Sequence, residues 1–308
     1  MLIALIGPPQ SGKQTVADYL VSQHGFTLVC IPGRNSHRIS QPSSPSSSSS
    51  STYKPLSFDS PRSLLDHATA HWREKLVTLD LCTLADVQVG FDKRPFFLLV
   101  GIDAPLGRLA ATGRLIPLLA SLDFSTHLIV LNPFPSLSPL HAHLDTLDLP
   151  SPHRLRPSWD AYFLSLCSLA SLRSNCMKRR VGAVLVSTSE KRVLSTGYNG
   201  TPRGLTNCAD GGCKRCNDPL ATGRGGANLT ECFCLHAEEN ALLEVGRGLA
   251  RGATLYCNTC PCMRCAVKIV QVGVDEVVYQ LDYSVDHRSA DIFTAAGVKI
   301  RKYGEAVK

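Results

Sequence analysis

The sequence predicts a two-domain α/β protein: an amino-terminal doubly wound parallel sheet, then an α/β/α unit built on a mixed central sheet. Three observations carry this reading. Through the first 131 residues, short apolar runs alternate with segments of helical period, as in a parallel sheet covered by helices on both faces. The stretch from Asn132 to Pro157 holds Pro133, Pro135, Pro139, Pro150, Pro152 and Pro157 and is expected to be an interdomain linker, with room for a short helix at Leu137 to Leu149. Residues 158–308 then open with a helix and a strand pair and continue as alternating strands and helices. At 308 residues the chain is long enough for two cores.

In the first part, Leu2 to Ile6 reads as an apolar strand, Lys13 to His24 as a helix and Phe26 to Ile31 as a strand. Ser60 can cap a helix that Pro61 starts and that runs to about Leu76. Phe96 to Ile102 is a strongly apolar strand, followed by a helix and the strand His127 to Leu131. Gln41 to Thr52, almost pure serine with proline, cannot bury apolar surface and is expected to be a disordered insertion. In the second part, Ser158 caps a helix from Trp159 to Asn175, and Val181 to Val186 pairs with Arg192 to Tyr198. A helix after His236 should end at Gly246 or Gly248. Strand Thr254 to Cys257, helix Pro261 to Val272, strand Glu276 to Tyr279, helix Arg288 to Ala296 and strand Val298 to Arg301 complete the unit.

No apolar run approaches the ~20 residues of a membrane helix. The opening Met1 to Ile6 lacks a basic leader and runs into a glycine turn, so the expected location is the cytoplasm, with the nucleus as the alternative. Of thirteen cysteines, nine lie from Cys208 to Cys265, and in a reducing compartment such clustering favours metal over disulfide. A net charge of +7 suits an anionic small molecule as well as it suits nucleic acid. Aromatic residues make up only 6% and form no cluster, which argues against a polynucleotide partner.

The chemistry concentrates in His236-Ala237-Glu238 and Pro261-Cys262-Met263-Arg264-Cys265. One imidazole and two thiolates hold a catalytic zinc and leave a fourth position for water, whose pKa the metal lowers towards ~7. Cys262 and Cys265, three apart in the first turn of a helix that Pro261 starts, are predisposed to be thiolates by that helix N-terminus. Glu238 is placed to move protons without ligating, while Glu239, one position out of register, reads as a structural or solvent-facing carboxylate. An H-x-E joined to P-C-x-x-C is the known mark of zinc nucleobase deaminases, and these two segments match it. The bland alternative is an all-cysteine zinc knuckle of Cys257, Cys260, Cys262 and Cys265, which leaves the H-x-E unexplained.

Ser158 to Phe163, Cys176 to Ala183, the segment Gly197-Tyr198-Asn199-Gly200-Thr201-Pro202-Arg203-Gly204, and His236 to Ala241 with the zinc cysteines together resemble the fungal-type deoxycytidylate deaminases, over about half the chain. The resemblance implies a cytidine-deaminase-like fold and the reaction of dCMP with water to dUMP and ammonia, feeding thymidylate synthesis. It implies His236, Cys262 and Cys265 as zinc ligands, Glu238 as proton shuttle, a homo-oligomer (a hexamer in many members), and dCTP and dTTP as effectors, with Mg2+. Asn199, Asn240, Arg180 and Arg203 are the candidates for substrate contact, against simpler readings as a turn asparagine, a helix packing residue and solvated charges. Six further cysteines, Cys176, Cys208, Cys213, Cys216, Cys232 and Cys234, suggest a second, structural zinc. By resemblance its ligands fall on Cys176, Cys208 and Cys234, with Cys213, Cys216 or Cys232 as the fourth.

Gly7-Pro8-Pro9-Gln10-Ser11-Gly12-Lys13-Gln14-Thr15 nearly fits the phosphate-binding loop G-x-x-x-x-G-K-[ST], between a strand and a helix. Gln14 takes the place of the magnesium-binding hydroxyl, and Thr15 comes one position late. Asp103 could serve a magnesium ion from the end of its strand. The part resembles the nucleotide and dephospho-coenzyme A kinases in this loop and in Val100 to Leu106, and is expected to be a P-loop kinase-like domain in degenerate form, with Arg108 and Arg114 as slight evidence of a lid. Three rivals stay open: a deaminase of another cytosine or adenine substrate, RNA included; a P-loop phosphotransferase or switch with an inert zinc module; and a purely structural zinc protein.

Overall fold

Strand β1 (Leu2–Ile6) is buried along its whole length in the computed structural model, which describes residues 1–33, 55–105, 128–217, 232–282 and 287–304. It lies in a six-stranded sheet with β2 (Thr27–Cys30), β3 (Leu56–Ser57), β4 (Leu76–Thr78), β5 (Phe97–Asp103) and β6 (Leu128–Leu131), ordered β3-β2-β4-β1-β5-β6. Every pairing in it is parallel. The period-2 alternation of β1 divides its side chains between two cores. Leu2, Ala4 and Ile6 pack with Leu64 and Leu65 of α2 (Pro61–Ala70), while Ile3 and Leu5 pack with Val16 and Leu20 of α1 (Lys13–His24). A strand buried on both faces is the signature of a doubly wound sheet.

Two expectations for this unit change. The helix from Pro61 ends at Ala70, and Leu76–Thr78 is the fully buried strand between β1 and β2. Three residues continuing an apolar pattern carry no period of their own, so only pairing on both edges reveals them. A short helix α3 (Leu84–Gln88), capped by Thr83, follows. The stretch expected as a linker holds the short helix allowed for it, α4 (Leu137–Leu147), but its Leu140 and Leu144, with Leu149, are buried in the α1 core. The chain divides at Arg156/Pro157, so α4 belongs to the first unit. The serine-rich segment Gln41 to Thr52, and Arg108 and Arg114 with the helix expected around them, lie outside the described residues.

The second unit has a five-stranded sheet of β7 (Gly182–Val186), β8 (Val193–Tyr198), β9 (Thr254–Thr259), β10 (Glu276–Leu281) and β11 (Lys299–Lys302), ordered β11-β10-β9-β7-β8. β8, β7 and β9 run antiparallel in turn, and β9, β10 and β11 run parallel, so the sheet is mixed as expected. Helix α5 (Trp159–Ser171), capped by Ser158, covers one face through Phe163, Leu164 and Cys167. The other core gathers Ala237, Ala241 and Leu242 of α7 (Ala237–Ala250), Cys265, Ala266 and Ile269 of α8 (Met263–Val272), and Phe293 of α9 (His287–Ala295). A short helix α6 (Lys214–Asn217) lies in the loop after β8. Gly246, at φ 71 and ψ 163, breaks α7, which then resumes to Ala250 and so runs past the expected stop. No helix among the described residues is long and apolar enough to cross a membrane.

Candidate metal and catalytic site

His236 and Cys262 are both N-caps, in extended backbone, of α7 and α8. Pro261 therefore stands before the helix and not within it, which corrects the placement of Cys262 in the first turn. Cys262 and Cys265 still converge, because the N-cap and the third helical residue are the pair that a capping box brings together. The two helix starts meet with Cys262 Sγ 3.5 Å and Cys265 Sγ 3.3 Å from His236 Nδ1. All three ligand atoms lie within 4.8 Å of one another. A zinc ion holding sulfur at about 2.3 Å and imidazole nitrogen at about 2.0 Å in tetrahedral geometry separates the two by about 3.5 Å, so this donor set fits zinc and leaves one tetrahedral position uncommitted.

Glu238 is 3% exposed, and burial pushes its carboxyl above the ordinary range while the neighbouring His236 pulls it back. It is hydrogen-bonded to Cys265. The hydrogen bond between the two thiols splits them: it draws Cys262 down to about 4, with His236 helping and burial opposing, and it raises Cys265 together with burial. Glu239 points away from this centre. Its Oε2 accepts from the His236 backbone N–H at 2.7 Å, and Oε1 pairs with Lys268 of α8. It thus ties the two helix starts together, in the structural role expected of it.

Close packing sets where α7 begins. A β-carbon on Gly197 in β8 would stand 2.1 Å from the Ala237 carbonyl oxygen and 2.5 Å from the Ala241 nitrogen, so α7 rests directly on the β8 backbone. Just beyond, Gly200 and Leu235 exchange backbone hydrogen bonds of 3.1 and 2.8 Å, delivering the chain to His236.

The expected substrate residues are placed unevenly. Asn199 is 8% exposed and its amide is largely spent on the chain. Oδ1 accepts from Val181 N at 2.8 Å and Ser174 Oγ at 2.7 Å, and Nδ2 donates to the Arg179 carbonyl at 2.8 Å, leaving at most one N–H for a ligand. Asn240 Nδ2 donates to the Tyr198 carbonyl at 2.6 Å, which is its packing reading. Arg180 and Arg203 are exposed, in the loops before β7 and after β8. Sequence reasoning missed Ser174 and also Asn258, whose Oδ1 accepts from Gly182 N at 3.1 Å. Neither belongs to a spacing pattern. Only the H-x-x-E of His236 and Glu239, read as an N-cap with its third residue, offered a signal for the bracing role.

A second group brings Cys208, Cys213, Cys216 and Cys234 within 4.8 Å of one another, all buried. Of the set implied by resemblance, Cys208 and Cys234 hold their places, whereas Cys176 only packs against the cluster and both Cys213 and Cys216 enter it. Cys232 flanks it too, its Sγ 3.7 Å from Cys213 and 3.8 Å from Cys216. The loop is pinned by Asn217 Nδ2, which donates to the Cys208 and Cys213 carbonyls at 2.8 and 2.9 Å. Burial opposes ionisation of Cys213, yet hydrogen bonds from Cys216 and Cys232 hold it below its ordinary value, while burial raises Cys216 and Cys234. Four thiols at tetrahedral spacing fit a structural zinc. The all-cysteine knuckle is not formed: Cys257 is sealed inside β9 and groups with neither cluster.

The cytidine and deoxycytidylate deaminase zinc-binding region matches residues 157–281. A deoxycytidylate deaminase of Schizosaccharomyces pombe is 40% identical, covering 98% of this chain and 97% of its own. One from Saccharomyces cerevisiae is 41% identical over 80% of this chain and 86% of its own. A solved dCMP deaminase from the cyanophage S-TIM5, in complex with dCMP and dUMP, is 30% identical with a TM-score of 0.38, covering 48% of this chain and 98% of that one.

Proposed function

The chain belongs to the deoxycytidylate deaminases, a family of zinc-dependent hydrolases, and on that premise we propose that it converts dCMP and water to dUMP and ammonia, supplying dUMP for thymidylate synthesis. The observation that carries the reading is the meeting of His236 Nδ1, Cys262 Sγ and Cys265 Sγ beside the buried Glu238. These three would hold the catalytic zinc, which when bound supplies a Lewis acid that makes water a nucleophile at neutral pH. Glu238 takes a proton from the attacking water and delivers it to the pyrimidine ring nitrogen. It then takes the proton of the hydroxyl newly added to the ring carbon and passes it to the amino group, so that the carbonyl forms as the carbon–nitrogen bond breaks and ammonia leaves. Its burial suits this work, since holding the carboxyl above its ordinary range makes it a better base towards water than an exposed glutamate.

Around this centre the chain orients. Glu239 and Lys268 brace the two helix starts, and Asn199 holds the Arg179 to Val181 loop against the turn after β8. Arg180 and Arg203, exposed beside that turn, are the cationic groups assigned to the substrate phosphate. Cys208, Cys213, Cys216 and Cys234 would hold a structural zinc that orders a loop with little apolar content. Activation by dCTP, inhibition by dTTP with Mg2+, and assembly into a homo-hexamer complete the reading.

The deciding experiment is ammonia release by the zinc-loaded protein from dCMP, CMP, deoxycytidine and dCTP, with and without dCTP as effector. We expect turnover of dCMP alone, reduced by about a thousand-fold or more in Glu238→Gln with zinc retained. Turnover undiminished in Glu238→Gln, or absent on all four compounds, would refute it.

A further inference from the structure

None of the residues assigned above to the deaminase site lies in the turn Gly7–Lys13, whose setting is that of a ligand site. β1 lies between β4 and β5, and the chain passes from one side of β1 to the other between those two strands. The turn leaving β1 therefore stands at the topological switch point of the sheet, at the carboxyl ends of its strands, where open α/β sheets bind ligands. Glycines let it close onto its neighbours. A β-carbon on Gly7 would stand 2.2 Å from the Ile102 carbonyl oxygen, and one on Gly12, at φ +94, 2.4 Å from Asn132 Nδ2. Gly12 is the N-cap of α1, offers no side chain to its amides, and is followed by no acidic residue in the first turn. Those amides and the helix dipole favour an anion.

Independent of the helix, two buried polar atoms at this turn have no hydrogen-bond partner among the described residues. Ser11 is 0% exposed, and its Oγ lies 2.7 Å from the place a Gly7 β-carbon would occupy, inside the curve of the turn. Asn132 is 7% exposed and donates through Nδ2 to the Ser11 carbonyl at 3.0 Å, while its Oδ1 is unpaired. Buried polar groups are seldom left so without a ligand to meet them. Lys13 Nζ donates to the Pro8 carbonyl at 3.1 Å, which holds the ammonium over the turn.

We propose that the turn Gly7–Lys13 binds the polyphosphate of a nucleoside triphosphate and does not transfer its phosphoryl group. Transfer at such a turn relies on a hydroxyl directly after the lysine to hold magnesium. Gln14 stands there instead, exposed, with its Nε2 donating to Asp18 Oδ1 at 3.0 Å one turn along α1. Asp103 closes the neighbouring β5, but magnesium between it and the phosphates would lack its second protein ligand.

Calorimetric titration of the full-length, zinc-loaded protein with inorganic tripolyphosphate and with ATP tests this. Both should bind at one site per chain, Mg2+ should change the affinity less than three-fold, and no ADP should accumulate from ATP. Ser11→Ala and Lys13→Ala should each weaken binding ten-fold or more. Ser11→Ala also controls for folding, because losing a buried, unpaired hydroxyl should leave the melting temperature unchanged or raised. Absence of binding, or binding undiminished by both substitutions, overturns the site. Binding of ATP without tripolyphosphate overturns the polyphosphate assignment. ADP formation that disappears in Lys13→Ala overturns the exclusion of transfer.

Discussion

Replacing Gly197 by alanine is the sharpest test of how the fold positions the deaminase site, because the residue carries none of the metal-binding or proton-moving groups and the nearest atoms its β-carbon would meet all belong to α7. The added methyl would stand 2.1 Å from the Ala237 carbonyl oxygen, about 1.3 Å inside the 3.4 Å at which ordinary contact begins. Both contacted atoms are helix backbone, so no side chain can swing aside and α7 must lift from β8 by about an ångström. Overpacking of this kind costs about 1–3 kcal/mol, or roughly 2–12 °C in a unit of this size. The helix that lifts carries His236 at its start and Glu238 in its first turn, and a displacement of about 1 Å costs on the order of a hundred-fold in rate. Gly248→Ala, on the same helix with open space around it, is the matched control and should be neutral to slightly stabilising. The assays are a thermal melt and kcat on dCMP for both variants. A Gly197→Ala protein within 1 °C and two-fold of the parent would refute the argument that this contact seats the helix.

Three further outcomes follow from the second unit. Arg301 forms ion pairs with Asp160 and Glu276, and its hydrogen bonds, with help from Tyr256 and against burial, hold the Asp160 carboxyl below its ordinary 3.8. A depressed folded value stabilises above the unfolded pKa and is lost as pH falls through the folded one. The parent should therefore exceed Arg301→Ala by about 1 kcal/mol, after allowance for partial exposure, at pH 5 to 8, and the gap should close below about pH 4; a gap that widens in acid contradicts the assignment. Elemental analysis should find two zinc ions per chain, falling to one in Cys213→Ser or Cys216→Ser but not in Cys176→Ser, and equal loss in all three would put Cys176 among the ligands. Glu239→Ala should lose about 1 kcal/mol through the missing cap and release zinc more readily to a chelator, whereas chelation kinetics matching the parent would show that Glu239 does not brace the site.

Spacing made the candidate catalytic centre legible. His236, Glu238, Cys262 and Cys265 lie on two helix starts, and the local rules that put an N-cap beside its third residue hold before any tertiary contact forms. Most of both sheets and their helices were legible from apolar period and caps, as at Ser60 in the first unit and Ser158 in the second. Reading failed where a signal was too short or depended on a distant partner. Leu76–Thr78 is three residues long and is a strand only because β1 and β2 flank it. The short helix read within the proline-rich stretch is α4, with Pro139 in its first turn, where a missing N–H costs nothing. That its Leu140 and Leu144 are buried in the first core, however, depends on partners far along the chain.

The cysteines and asparagines mark the same boundary. The clustering of thiols between Cys208 and Cys234 could be read from the sequence, yet which four converge depends on how the loop around α6 closes, pinned by Asn217. Asn199 was recognisable as special from its glycine-bracketed turn, but its amide is spent on Ser174, Arg179 and Val181, up to 25 residues away in sequence. By itself, then, the sequence determined the kind of protein, the fold class and the chemistry of the metal centre, because caps, periods and ligand spacing act within one or two turns of chain. Only the tertiary structure decided which cysteines share a site, which imidazole nitrogen faces the thiols and which polar side chains are already engaged, because those outcomes turn on distances between segments that local rules do not constrain.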